Sequence, residues 1–102
     1  MAESGLQAKI NKDLRNLGIE HYHKEKGRGG YRQKYQHNGG KPDLFIWPGD
    51  GVTVFIELKY GKGKMSYEQI EFIQKMTSRG YRCYEVRNWF EWEQVKKQEG
   101  WE

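Results

Sequence analysis

The hydrophobic positions of the chain follow two repeats, the three-to-four spacing of helices and the alternation of strands. The helical repeat predicts helices over residues 3–17 and about 66–79, each followed by a glycine that ends it. The pair Asn88 and Glu91 predicts a capping box at the start of a third helix, which extends to about residue 98. The inner faces of the first two helices are Leu6, Ile10, Leu14 and Leu17, and Ile70, Ile73 and Met76.

Segments rich in β-branched and aromatic residues predict four strands, at about 19–23, 43–47, 52–59 and 81–86. The second and third are joined by Pro48-Gly-Asp-Gly51, a sequence typical of a tight turn between paired strands. These two central strands contain mostly apolar side chains, which predicts that they are buried.

The segment at 27–40 is glycine-rich at both ends and alternates Tyr31, Gln33 and Tyr35 between them. This pattern is compatible with a mobile loop or with an extended hairpin arm. With the arm as an optional strand, the predicted order is α-β-(β)-β-β-α-β-α, an α/β fold with a mixed central sheet flanked by helices. Because 102 residues suffice for one core and no repeat or linker divides them, we expect a single domain over 1–102.

Positive charge is concentrated in one segment of the chain. The formal net charge is +4, and residues 24–41 hold six basic residues against Glu25 alone. Such a cluster suits a polyanionic partner such as nucleic acid, although a solvated loop with incidental lysines is the alternative. Tyr31 and Tyr35 can stack on unpaired bases or pack on the sheet. The predicted nucleic-acid contacts are Lys24, Lys26, Arg28, Arg32, Lys34 and Lys41, with Lys62 and Lys64 in a later basic connector.

Several classes of protein are disfavoured by what the chain lacks. It has no apolar run of the roughly 20 residues that cross a bilayer and no signal-peptide pattern, so we expect a cytoplasmic or otherwise intracellular location. The single cysteine, Cys83, excludes an internal disulfide framework and is expected to be a buried core thiol. The spacing of His21, His23 and His37 fits no zinc pattern.

Three charged side chains occur in or beside the two apolar central strands. Alternation places Glu57 and Lys59 on one face of their strand, while Asp43 opens the neighbouring strand. Charges buried there are costly without partners, and a divalent cation is one such partner. Asp43 and Glu57 can hold Mg²⁺ or Mn²⁺ through oxygen ligands, with the carbonyl of Leu58 completing the shell. Lys59 can then orient a water or stabilise charge on a phosphate.

Pro42-Asp43, followed after thirteen residues by Glu57-Leu58-Lys59, resembles the signature of the PD-(D/E)XK nuclease superfamily. The order of elements over nearly the whole chain is similar to its VRR-NUC branch, the virus-type replication and repair nuclease domain. The resemblance implies a restriction-endonuclease-like fold and Mg²⁺- or Mn²⁺-dependent hydrolysis of DNA. It also implies roles in DNA repair and replication, a preference for branched or junction DNA like that of Holliday-junction resolvases, and a homodimer.

The resemblance adds two site residues. Family members have a glutamate at the start of the first helix, matched by Glu3, and a glutamine in the helix after the lysine, matched by Gln69. The resemblance makes Glu3 a further metal ligand and gives both residues catalytic roles. Each also has a structural explanation. Glu3 is favoured near a helix N-terminus by the macrodipole, and Gln69 can complete a capping box with Ser66.

The sequence therefore favours a metal-dependent endonuclease over two alternatives. One is a non-catalytic nucleic-acid-binding module in which the acidic cluster is a structural ion-pair network. The other, a small protein-interaction domain, does not explain charged residues in apolar strands. The aromatic segment Trp89-Phe-Glu-Trp92, with Trp101, can form either a dimer interface or part of the core.

Overall fold

The computed structural model describes residues 3–24 and 42–102, except for the side chains of Glu3 and Ser4. The described part contains three helices and four strands, and no helix in it is both long and apolar enough to cross a membrane. The arm at 27–40, which the predicted order includes as an optional strand, lies outside the described residues. The elements are α1 (Glu3–Leu17), β1 (Glu20–His23), β2 (Leu44–Trp47), β3 (Val54–Leu58), α2 (Tyr67–Ser78), β4 (Arg82–Val86) and α3 (Trp89–Glu99).

The four strands form one mixed sheet in the order β1-β2-β3-β4. β1 pairs with β2 and β2 with β3 in antiparallel fashion, while β3 and β4 are parallel. A parallel pair requires a crossover connection, and α2 provides it. The predicted mixed α/β fold is confirmed, with element bounds within about two residues of those expected from the sequence.

The main core lies between one face of the sheet and helices α1 and α3. The predicted inner face of α1 is confirmed at Leu6, Ile10 and Leu14, whereas Leu17 at the helix end stays 37% exposed. The buried core cluster consists of these three residues with Leu44, Ile46, Val54, Ile56, Leu58, Val86, Trp92 and Val95. The apolar alternation of β2 and β3 thus directs one set of side chains into this core.

A polar contact ties α3 to α1 at the edge of the core. Trp92 is fully buried, and its Nε1–H donates to Asp13 Oδ2 at 2.8 Å. Lys96 Nζ lies 2.8 Å from the same oxygen. Burial opposes ionisation of Asp13, but the bonds from Lys96 and Trp92 outweigh it and hold the pKa of Asp13 below its usual value. Trp92 therefore belongs to the core, which settles the alternative left open for this residue.

The opposite face of the sheet is covered more thinly. α2 has no fully buried residue, and Ile70, expected on its inner face, is 39% exposed. Phe72 makes the aromatic contact with the sheet, its ring centroid 5.6 Å from that of Phe55. Cys83, which lies on β4, is half-buried rather than the core thiol that we expected. A single helix of 12 residues does not cover the face of four strands, which explains both differences.

The helix starts follow the predicted caps with one correction. At α2 both halves of the capping box between Ser66 and Gln69 are present. At α3 the Asn88 side chain accepts from Glu91 N at 2.9 Å, as expected. The Glu91 carboxylate, however, accepts from Arg87 N at 2.7 Å instead of from Asn88 N. The predicted box at Asn88 is therefore wrong in its second half, because the glutamate bonds to the preceding amide.

Candidate active site

A cavity of about 290 Å³ lies where the central strands approach α1 and α2. It brings together several residues predicted from the sequence, among them Asp43, Lys59 and Gln69. Glu57 lies against this wall, with a side chain only 1% exposed that contacts Lys59 and Gln69. The lining residues are Gln7, His23, Lys24, Asp43, Leu58, Lys59, Tyr60, Gly63 and Gln69.

Asp43 is held in place by the backbone of β3. Its N–H donates to Ile56 O at 3.2 Å, and its Oδ2 accepts from Leu58 N at 2.9 Å. Its other carboxylate oxygen, Oδ1, lies 4.0 Å from Lys24 Nζ. The pairing of β2 with β3 therefore fixes the position of this carboxylate beside Glu57.

Glu57 is a buried acid with incomplete hydrogen bonding. Its Oε2 accepts from Gln69 Nε2 and lies 3.9 Å from Lys59 Nζ. Its Oε1 is buried and, when Glu57 is ionised, accepts no hydrogen bond from the described residues, whereas the protonated acid can bond to Asp43. Burial, and then the charge of Asp43, raise the pKa of Glu57 to about 8, although Lys59 and Lys24 act in the opposite direction. In its ionised form, therefore, Glu57 carries a negative charge that the described protein groups do not fully compensate.

The two carboxylates fit a divalent cation. A bound cation would give the unpartnered Glu57 Oε1 a partner and reduce its repulsion with Asp43. Carboxylate oxygens suit Mg²⁺ and Mn²⁺, and Mg²⁺ retains several waters, so two protein carboxylates are sufficient. Within 3–24 and 42–102 no group of three or more His, Cys, Asp or Glu side chains is arranged to hold a metal. The proposed third acid, Glu3, has its side chain outside the described residues.

Gln69 caps α2 and also contacts the candidate site. Its Oε1 accepts from Ser66 N at 2.7 Å and completes the cap of α2. Its Nε2 donates to Glu57 Oε2 at the same time. Since an amide has both an acceptor and donors, capping and contact with the acid are compatible. The side chain links the start of α2 to the buried carboxylate.

Of the four described lysines that were predicted as site residues, two line the cavity and two are exposed outside it. Lys59 is in the cavity wall, and so is Lys24, which the sequence assigned to the basic segment. Lys62 and Lys64 are exposed in the connector between β3 and α2, outside that wall. The remaining predicted nucleic-acid contacts lie outside the described residues: Lys26, Arg28, Arg32, Lys34 and Lys41.

Four residues of the cavity lining were not predicted as site residues from the sequence: Gln7, His23, Tyr60 and Gly63. Gln7 Nε2 lies 3.0 Å from His23 Nδ1, and both line the cavity. Gln7 stands four residues after Glu3, so helical spacing places the two on one face of α1, and that spacing could have indicated Gln7. No comparable sequence pattern indicates His23, because its proximity to Gln7 arises from the packing of β1 on α1.

The comparisons with known proteins identify the class and then the family. Two solved structures share the fold, both at 19% identity. One, a VRR_NUC domain, has a TM-score of 0.71 with 93% of this chain and 94% of that chain covered. The other, a VRR_NUC domain protein, has a TM-score of 0.68 with 96% and 87% covered. No curated protein sequence matches the chain.

The VRR-NUC family model matches residues 7–88, which is most of the chain. The protein is thus a nuclease-type domain with a mixed α/β fold, and it belongs to the VRR-NUC family. The matched range includes Asp43, Glu57, Lys59 and Gln69, whereas Glu3 precedes it. The resemblance found in the sequence is confirmed.

Proposed function

We propose that this protein is a metal-dependent endonuclease that hydrolyses DNA phosphodiester bonds in branched or junction substrates. The observation that carries the proposal is the buried, unpartnered Oε1 of Glu57 beside Asp43. A buried acid with one unpartnered oxygen, next to a second carboxylate and to a cavity lined by two lysines, is suited to a cation site that faces a phosphate. Family membership supports the nuclease class. The preference for branched DNA is an inference from the family resemblance.

Asp43, Glu57 and the carbonyl of Leu58 would hold Mg²⁺ or Mn²⁺, with Glu3 as a further ligand. When bound, such a cation supplies a Lewis acid and lowers the pKa of coordinated water. The chain contributes rigidity to this arrangement. The Leu58 amide fixes Asp43, and Gln69 fixes Glu57 from the capped start of α2. Ligands held in this way need little reorganisation during the reaction.

The two cavity lysines supply the positive charge. Lys59 lies 3.9 Å from Glu57 and is suited to orient the attacking water or to stabilise charge that develops on the phosphate. Lys24 lies on the Asp43 side, where its ammonium can bind a non-bridging phosphate oxygen. The other predicted nucleic-acid contacts would bind the DNA backbone and contribute salt-dependent affinity: Lys26, Arg28, Arg32, Lys34, Lys41, Lys62 and Lys64.

Replacement of Lys59 by alanine tests the catalytic assignment. We expect metal-stimulated cleavage of labelled flap and four-way-junction DNA to fall by about 100-fold, the effect typical of losing one preorganised charge-stabilising group. The rate is measured under single-turnover conditions with Mg²⁺, Mn²⁺ or EDTA. Lys75→Ala, which removes an exposed lysine from the last turn of α2, is the matched control and should cleave like wild type. Equal rates for Lys59→Ala and wild type would contradict the proposal.

A second candidate function is supported by the ion-pair distances. Each site carboxylate has a lysine within 4.0 Å, as in a structural ion-pair network of a non-catalytic DNA-binding module. That function predicts DNA binding unaffected by Asp43→Ala and no metal-dependent cleavage by wild type. The unpartnered Glu57 Oε1 favours the nuclease, because a structural network would satisfy its own acid.

We also propose a two-fold homodimer. A chain of 102 residues has little surface with which to contact two DNA strands, and a symmetric pair would double it. The fully buried Trp92 cannot supply the interface, and Trp101 packs against the core. Light scattering coupled to size-exclusion chromatography should give twice the chain mass of 12.2 kDa, and a monomer mass at assay concentration would reject the dimer.

A further inference from the structure

A second cavity, of about 300 Å³, adjoins the candidate active site. Tyr60 lines both cavities and therefore forms part of the wall between them. The second cavity combines apolar surface from Leu6 and Trp89 with the cationic side chains of Lys9 and Arg87. Among the described side chains, none of the charged residues proposed for catalysis lines it.

Lys9 provides an exposed positive charge at this cavity. Its Nζ lies 4.6 Å from the centroid of the Trp89 ring, a cation–π geometry that places the ammonium beside the apolar wall. In the part of the chain that the structure describes, no carboxylate forms an ion pair with Lys9. An anionic ligand would therefore meet a lysine whose charge is not already neutralised there.

Arg87 is fixed in orientation and partly neutralised. Its Nη1 donates to Gly61 O at 3.1 Å, and its Nη2 donates to Glu85 Oε2 at 3.1 Å. A guanidinium has five N–H donors, so these two bonds leave others for a ligand. Glu85 and Glu91 lie near Arg87, so Lys9 must supply most of the net positive charge.

We propose that this cavity binds a nucleotide of the substrate strand that neighbours the nucleotide in the active site. Lys9 and Arg87 contact its phosphate, while its sugar and base lie against Trp89 and Leu6. A nucleotide uses both cationic and flat apolar contacts, and the shared Tyr60 wall makes the two cavities adjacent, as neighbouring nucleotides of one strand are. The inference rests on the proposed nuclease function and adds a subsite to it.

The test compares Lys9→Gln with Lys12→Gln in the full-length protein. Both lysines are exposed on α1, but Lys12 does not line the cavity. Binding of fluorescent single-stranded oligonucleotides of increasing length is measured by anisotropy in EDTA, so that cleavage does not intervene. We expect Lys9→Gln to bind the longer oligonucleotides about fivefold more weakly and to lower the salt slope by about one, with Lys12→Gln close to wild type.

A second measurement follows Trp89 itself. The indole N–H resonance of Trp89, assigned with Trp89→Phe, should shift when the oligonucleotide is added and shift less in Lys9→Gln. If wild type binds and cleaves DNA but Lys9→Gln matches Lys12→Gln and the Trp89 resonance does not move, the subsite is rejected and the nuclease proposal stands. If wild type neither binds nor cleaves, both fail. If an acidic peptide shifts the Trp89 resonance and the oligonucleotide does not, the cavity binds a protein partner and the proposal is overturned.

Discussion

Replacement of Glu57 by glutamine is expected to reduce metal-stimulated cleavage at least about 100-fold, since it removes the buried charge of the proposed cation site. Glutamine has nearly the volume of glutamate and can still bond to Gln69, so the packing of β3 is retained. A loss of activity therefore reports on the carboxylate rather than on the fold. Single-turnover cleavage of junction DNA in Mg²⁺ or Mn²⁺ measures it.

The same substitution is expected to stabilise the protein in EDTA. Because the pKa of Glu57 rises from 4.5 in the unfolded reference to about 8 in the folded protein, the folded state binds more protons between these values. Stability of the metal-free wild type therefore falls as pH rises from about 4.5 to about 8, whereas Glu57→Gln lacks this dependence. At pH 7 the variant should exceed wild type by about 1–3 kcal/mol in free energy of unfolding.

Chemical denaturation at pH 4, 7 and 9 in EDTA measures this difference. Glu93→Gln is the matched control, because it makes the same chemical change on α3, which packs on the other face of the sheet. Mg²⁺ should raise the melting temperature of wild type but not that of Glu57→Gln, since only a protein that binds the cation is stabilised by it. A variant that cleaves normally would exclude Glu57 as the metal ligand, and one whose stability keeps the wild-type pH dependence would show that Glu57 is not the titrating group.

Replacement of Trp92 by alanine should produce the largest loss of stability. The side chain is fully buried, packs 6.1 Å from Trp101 between ring centroids and bonds to Asp13. Large-to-small changes at such sites cost about 3–5 kcal/mol, a large share of the 5–15 kcal/mol typical of a domain. The variant should also leave Asp13 with one hydrogen bond fewer. Urea denaturation monitored by circular dichroism measures the change.

Phe90→Ala is the natural comparison for Trp92→Ala. Both are aromatic residues of α3, but Phe90 is 67% exposed, so its removal should change the free energy of unfolding by less than about 0.5 kcal/mol. If Trp92→Ala instead kept the stability of wild type and only converted a dimer to monomers, the aromatic segment would lie at the interface. Its assignment to the core would then be wrong.

Much of the fold was predictable because its signals are local. The spacing of Leu6, Ile10 and Leu14 predicts α1, and the alternation around Glu57 predicts which side chains of β3 share a face. The predicted contact of α2 was less accurate at Ile70, because helical spacing indicates an apolar stripe but not how much of a sheet one helix covers. Cys83 was misjudged for the same reason, since its burial depends on that coverage.

The sequence by itself determined which charged groups the candidate site contains: two carboxylates and a lysine in or directly beside two adjacent strands, whose alternation follows from backbone geometry alone. Only the tertiary structure decided the composition of the cavity around them. Lys24, Gln7 and His23 approach Asp43 through the pairing of β1 with β2 and the packing of α1, contacts between distant residues that no local pattern encodes. The unpartnered oxygen of Glu57 is likewise a product of burial. Burial depends on how every layer packs against the others.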